Sequence, residues 1–339
     1  MPKRKVTIRD ISKHCGVSIA TVSRVINRTG RFSEKTRQTV QNAIDELGYV
    51  PDGSAKSLRT NTTSIVGILI NELDYSMSTS LVERMQDLLF DGGYTPVLCN
   101  VESHVEREEF YCNMLRSINA CAIIVVMRRP ISERFLDLGI PIIYLYRNPL
   151  YGTIDNDMIS VIQTDDYGAG RIAAEELLRL GCKRISEVRT PGADARVSLG
   201  RHVGLLNTLF QHNADYDESL EMVISAKDFP GMLAHINQKL NTGLVADGYF
   251  CVNDMLALAL VQSLTAHGYQ VGDDIKVIGC NDMPCALYNS RPITSIRHDT
   301  DALCASVMDV MTRMLRGEVL PKEDRFQIKA VEIVRRGTT

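Results

Sequence analysis

The sequence predicts two parts, an all-α head of helix-turn-helix type over residues 1–50 and an α/β core of two doubly wound parallel-sheet lobes. Apolar residues recur at spacings of three and four as far as Leu47. After Ser64, short apolar runs alternate with helical ones, the pattern of a parallel sheet flanked by helices. Charge divides at the same boundary. Residues 1–60 hold 12 lysines and arginines against five acids, +7, while the remainder holds 26 against 36, −10. A basic head on an acidic core points to a polyanion as partner of the head alone.

At 339 residues, with 45% hydrophobic and 23% charged residues, the chain can fill several cores. No uninterrupted apolar run, the candidate strand Ile123–Met127 included, approaches the roughly 18 apolar residues of a membrane helix. The basic N-terminus lacks a signal-peptide core, so a cytoplasmic location and no membrane partner are expected. The nine cysteines include no C-x-x-C pair and read as reduced core thiols.

In the head, Thr7 caps a first helix carrying Ile8 and Ile11, with Asp10 at the capping-box position. Cys15-Gly16-Val17-Ser18 forms the turn, and Ser18 caps a second helix over Ile19–Asn27. That helix turns Val22, Val25 and Ile26 inward and presents Ile19, Ala20, Ser23 and Arg24 on its other face. Ser33 caps a third helix from Glu34 to about Leu47, stopped by Gly48. Two short helices joined through a glycine turn place the second in a DNA major groove. Arg24 suits guanine, and Ile19 and Ala20 suit thymine methyls, so these three are the expected base readers; Ile19 as a core residue is the alternative. Thr7, Ser18, Thr21, Ser23 and Arg31 are expected on the phosphates.

The run Thr7–Ser12 with Gly16–Asn27, continued in Glu46–Leu58, resembles the lactose/galactose-repressor family of bacterial regulators, and further landmarks extend the resemblance to nearly the whole chain. It implies a hinge helix and linker over residues 51–63 that folds on DNA, pairs with its twin and inserts a leucine into the minor groove. Leu58 matches that leucine and Ala55 the small residue between paired hinges, with Lys56 beside them. An apolar wedge of this kind unstacks one base step and bends the duplex. The alternative is a plain tether.

The strand–helix alternation continues to Ile275–Gly279, and two consecutive lobes imply a cleft. The resemblance implies a core like that of periplasmic binding proteins. The first lobe is expected over 64–163 and 293–325, the second over 164–292 and 326–339, with Pro292–Ile296 crossing back into the first. Asp165-Asp166-Tyr167-Gly168-Ala169-Gly170 looks like the family's Asp-Asn-x-x-Ala-Gly element, Arg201-His202-Val203-Gly204 its Arg-x-x-Gly, and Val277–Asp282 its Val-Ile-Gly-x-Asp-Asp.

Ligands of open α/β sheets sit beyond the carboxyl ends of the strands. The resemblance makes Arg201 the ligand-clamping arginine; a cross-lobe ion pair is the alternative. Tyr75, Tyr146, Arg147, Arg196, Asn253 and Asn281 fall in strand-end loops and are the other expected effector contacts. Asp254 reads more as a helix N-cap than as a ligand. Asn281 stands where a carboxylate is usual, and with Arg147, Arg189, Arg196 and Arg201 retained the pocket shifts positive. A sugar or sugar derivative, phosphorylated forms included, is the expected effector, and a nucleobase-type co-repressor the alternative.

The seven histidines, read as mostly exposed, form no i, i+4 metal pair, and no nucleophile–base motif is present. No enzyme activity, cofactor or metal is expected. The expected partners are a palindromic double-stranded DNA operator, the effector and a second copy of the chain. A ligand-capture protein without DNA function is the distant alternative. Without terminal leucine heptads, no tetramerisation tail is expected.

Overall fold

The computed structural model describes residues 6–26, 29–49, 63–71, 77–102, 104–126, 136, 138–145, 156–191, 195–214, 216–226, 228–243 and 245–339. The chain forms two compact units, residues 1–63 and 64–339.

The first unit holds α1 (Ile8–Cys15), α2 (Ile19–Ile26) and α3 (Glu34–Leu47). Its small core is Ile11, Val22, Val25, Val40 and Ala43, ringed by partly buried Ile8, Val17, Ile26, Phe32, Ile44 and Leu47. The caps form as the residue types dictate. The Thr7 amide donates to Asp10 Oδ2 at 2.8 Å, the Thr21 amide to Ser18 Oγ at 3.2 Å and the Thr36 amide to Ser33 Oγ at 3.1 Å. Gly16 and Gly48 end α1 and α3 in the left-handed region, which costs a glycine little.

The second unit contains two six-stranded sheets. The first lobe comprises β1 (Ile65–Ile70), α4 (Met77–Asp91), β2 (Thr95–Asn100), α5 (Val105–Ser117), β3 (Ala122–Val126), β4 (Ile142–Leu145) and β5 (Ile159–Thr164). The chain then enters the second lobe through α6 (Asp166–Arg179), β6 (Ile185–Arg189), α7 (Ala195–Gln211), β7 (Met222–Val223), α8 (Phe229–Leu240), β8 (Gly248–Cys251), α9 (Asp254–Ala266), β9 (Lys276–Cys280) and β10 (Thr294–His298). The last elements are α10 (Thr300–Leu315), α11 (Lys322–Arg325), β11 (Phe326–Lys329) and β12 (Val331–Val334). The strand orders are β11-β5-β4-β3-β1-β2 and β12-β10-β9-β8-β6-β7. Every pairing is parallel except β10 with β12.

The late crossings differ from the sequence expectation. Thr294–His298 does not cross to the first lobe; it pairs with β9 and stays in the second sheet. The chain crosses at Asp299–Thr300, and α10 packs Leu303, Val307, Val310 and Met311 with α4 against the first sheet. β11 then adds to the first sheet beside β5, and only β12 returns. An apolar run such as Ile293–Ile296 specifies a strand but not its neighbour. Here Ile293 and Ile296 fill gaps in the second lobe's cores. Arg325, whose guanidinium lies 5.6 Å from the Phe326 ring centre and donates to Asn156 O at 2.8 Å, pins β11 to its sheet.

α6 and α7 make the closest helix contact. A Cβ on Gly170 would lie 1.8 Å from Arg201 O, and one on Gly204 2.1 Å from Tyr167 O. Only glycine permits this approach.

Candidate functional site

In the head, capping and packing divide α2 into two faces. Val22 and Val25 are buried, whereas Ile19 is 46% exposed and Ala20 and Arg24 are exposed beside it. The core alternative for Ile19 is thereby set aside. Ser18 and Arg31 are exposed, and Thr21 and Ser23 half-buried. The Thr7 hydroxyl donates to Asp10 Oδ2 at 2.7 Å, so its side chain is committed to the cap. Ala55, Lys56 and Leu58 lie outside the described residues, as do Tyr75, Tyr146, Arg147 and the side chain of Arg196.

In the core, the described part of the cleft centres on Arg201, which is 5% exposed. Its Nε donates to Asp166 Oδ1 at 3.0 Å, its Nη1 to the Val252 carbonyl, and its Nη2 lies 3.3 Å from both Asn281 Oδ1 and His298 Nε2. The pair with Asp166 lies within the second lobe and does not cross the cleft. His298 Nε2 also lies 3.2 Å from Asn281 Oδ1, so this nitrogen accepts from Arg201 in one neutral tautomer and donates to Asn281 in the other. Burial, with Arg201 adding to it, holds the His298 pKa well below the ordinary value, so the ring is neutral. Among the described residues, His298 Nδ1 is buried without a hydrogen-bond partner. The sequence reads the seven histidines as mostly exposed, whereas His298 is buried; its place at the end of a strand is the available signal.

Asn281 sits at φ 100°, a backbone region that side-chain-bearing residues rarely adopt, followed by Asp282 at φ 52°. The surrounding contacts hold them there. The Asn281 amide donates to Ile296 O at 2.8 Å and the Asp282 amide to Ser295 Oγ at 3.0 Å. Ser295 Oγ in turn donates to Asp254 Oδ1 at 2.6 Å, and the Met283 amide to Asp254 Oδ2 at 2.7 Å. Asp254 is therefore the buried anchor of the 281–283 loop. The N-cap of α9 is Asn253, whose Oδ1 accepts the Leu256 amide at 2.9 Å. The cap assignment moves by one residue, and the oxygen of Asn253 is engaged. Burial pushes the Asp254 carboxyl up to about 7, against the lowering effect of its two hydrogen bonds.

Asn281 and His298 open onto a cavity of about 700 Å³ that Ser80 and Arg84 of α4 also line. On its second-lobe side, Asp282 pairs with Arg297 at 2.7 Å and with Arg336 at 2.6 Å. Arg84 pairs with Asp301 at 2.6 Å, and Arg189 with Glu221. The arginines counted as surplus positive charge thus have counter-charges wherever they are described. No group of three or more His, Cys, Asp or Glu among the described residues is placed to hold a metal ion. No described helix is long and apolar enough to cross a membrane.

Residues 7–52 match the family model for bacterial regulatory proteins of the lacI family, and residues 174–339 that for a periplasmic binding protein-like domain. The HTH-type transcriptional repressor PurR of Yersinia pestis bv. Antiqua is 30% identical over 305 residues, 88% of this chain and 86% of that one. The chain belongs to the lacI family. The ribose operon repressor of Halalkalibacterium halodurans is 29% identical over 342 residues, 98% of this chain and 97% of that one. Among solved structures, a Lac repressor bound to ONPG in its repressed state superposes with a TM-score of 0.84 at 24% identity, covering 99% of this chain and all of that one. As a lacI-family member the chain is a DNA-binding transcriptional regulator with an effector-binding core, and it sits in a family made up of transcription regulators.

Proposed function

We propose that the protein is a cytoplasmic, homodimeric repressor whose two heads occupy successive major grooves of a palindromic operator. The observation that carries the reading is the division of α2 into a buried Val22/Val25 face and an exposed Ile19/Ala20/Arg24 face. Ile19, Ala20 and Arg24 read bases; Ser18, Thr21, Ser23 and Arg31 meet phosphates, with Thr7 holding the start of α1 against the backbone. The paired 51–63 segments, through Ala55, Lys56 and Leu58, enter the minor groove between the heads. Arg24→Ala should relax preference at one base pair of each half-site by about 1–3 kcal/mol in binding to an operator-variant library. Equal weakening on all sequences would reassign Arg24 to phosphate.

The effector occupies the cleft at Asn281 and His298, which Arg201 orients from behind, joined by Asn253, Tyr75, Tyr146, Arg147 and Arg196. A sugar or sugar derivative is the first reading, supported by one relative named for ribose and by a CelR structure solved with cellobiose. One observation favours a nucleobase-type ligand instead. With its oxygen turned to Arg201, Asn281 has its NH2 left to offer, and His298 Nδ1 has no hydrogen-bond partner among the described residues. A donor beside an imidazole edge suits a base that carries ring nitrogens and carbonyl groups. Effector and operator affinities must be coupled reciprocally, typically by about 1–3 kcal/mol.

The test is binding of the intact protein to a genomic library of duplex oligonucleotides, with and without metabolite pools. Selection of a palindrome whose affinity responds to one pool supports the reading. Indifference to every duplex overturns it.

A further inference from the structure

We propose that Asp166 is the charge-selecting residue of the cleft, turning Arg201 from an anion clamp into a brace for Asn281 and His298. The inference rests on the cleft being the effector site. Asp166 opens α6, and its Oδ1 accepts Arg201 Nε at 3.0 Å, with both side chains largely buried at 13% and 6% exposed. The approach of α6 to α7 fixes the pair. A Cβ on Gly200 would lie 2.9 Å from Asp166 Cβ, and one on Gly170 would collide with Arg201 O. The backbones that carry the two side chains are thereby held at a fixed, close approach.

On its other edges Arg201 donates from Nη1 to the Val252 carbonyl, and its Nη2 faces Asn281 Oδ1 and His298 Nε2. A guanidinium with a buried carboxylate on one edge and acceptors on the other edges has neither the net charge nor the donors to grip an incoming anion bidentately. It can instead orient the two groups that face the cavity, as the unpartnered Nδ1 of His298 indicates. Two residue choices act together here. Asp166 occupies the asparagine place of the Asp-Asn element, and Asn281 the carboxylate place of the Val-Ile-Gly-x-Asp element. Both touch Arg201, so the negative charge has moved from the cavity side of the guanidinium to its α6 side. Asp166 and Arg201 are positioning residues, and Asn281 and His298 the ligand contacts. The cleft selects, at this point, an uncharged acceptor-bearing group.

The test titrates the intact protein with inorganic phosphate by calorimetry, comparing wild type with Asp166→Asn and with Asp166→Asn/Asn281→Asp. Phosphate bound by the head is common to all three and cancels in the comparison. Asp166→Asn should gain a phosphate site at least tenfold tighter than any in wild type. The double variant, with a carboxylate restored beside Nη2, should lose it again. Phosphate binding equal in wild type and Asp166→Asn overturns the proposal. Should Asp166→Asn alone not fold, the double variant decides. If it folds and matches wild type towards phosphate, the moved charge is supported; if it also fails to fold, Asp166 is needed for a reason other than charge balance and the proposal falls. Operator binding of the same samples tests the regulator reading separately, since that reading survives any outcome for phosphate.

Discussion

The two lobes carry six-stranded sheets of matching strand order, yet they bury different chemistry. In the first, the described buried polar side chains are Glu108, Ser160, Thr164 and Arg325, spread among aliphatic strands. In the second, Arg201, Asp254, Ser295 and His298 gather around the carboxyl end of β9, with Thr294 at the start of β10 and Ser186 and Glu187 on β6 also buried. Buried polar groups cost stability unless partnered. The second lobe therefore depends on a connected set of buried hydrogen bonds that the first lobe lacks among its described residues. His202 follows the same logic, since its Nδ1 lies 2.6 Å from Glu187 Oε2, which raises the His202 pKa.

The contrast is open to measurement, and the largest effect should come from Arg201→Met. It strands Asp166 without its counter-charge and should lower stability by about 3–5 kcal/mol in urea denaturation. Arg325→Met in the first lobe loses a partner, Asp157, that is 62% exposed, and should cost about 1–2 kcal/mol. Equal losses would erase the distinction between lobes.

Asp254 sharpens the comparison through pH. Its folded pKa is raised, so its contribution to stability is full below the unfolded value near 4 and is lost as pH rises through about 7. Wild type should lose about 3 kcal/mol from this group between pH 4 and 8, and Asp254→Asn should remove that slope. A wild-type profile equally steep in the variant would assign the dependence elsewhere.

Glycine substitutions come next. Gly170→Ala meets a backbone carbonyl and should destabilise by about 2–3 kcal/mol while weakening the effector response. In Gly67→Ala of the first lobe, the new Cβ meets the Leu115 side chain, 2.4 Å away, which can adjust; about 1–2 kcal/mol is expected. The smallest effect belongs to Arg84→Ala, whose ion pair with Asp301 is exposed on both sides and should be worth under about 0.5 kcal/mol. A larger loss would give the first-lobe wall a role in closure.

The head was legible almost residue by residue, because caps and helical periodicity are local properties. Ser33, Gly48 and the exposure of Ile19 all appear where spacing placed them. The alternating strands of the core were equally plain. Less was legible at the site. Asn281 and Arg201 were singled out and do meet, whereas Asn253 proved to be a cap and Asp254 an anchor. His298 was missed because burial of a polar residue at a strand end carries no periodic signature.

By itself the sequence determined the helix-turn-helix head, the succession of strands and helices, the charge division and the family, since each resides in short-range spacing and composition. Only the tertiary structure decided which sheet receives β10 and which carboxylate answers Arg201. The first depends on strands whose paired residues lie up to 39 apart along the chain, Ser295 and Val334, and the second on a partner 35 residues away. The Arg201 pairing follows from how closely two glycine-bearing helices pack, a quantity that local pattern does not encode.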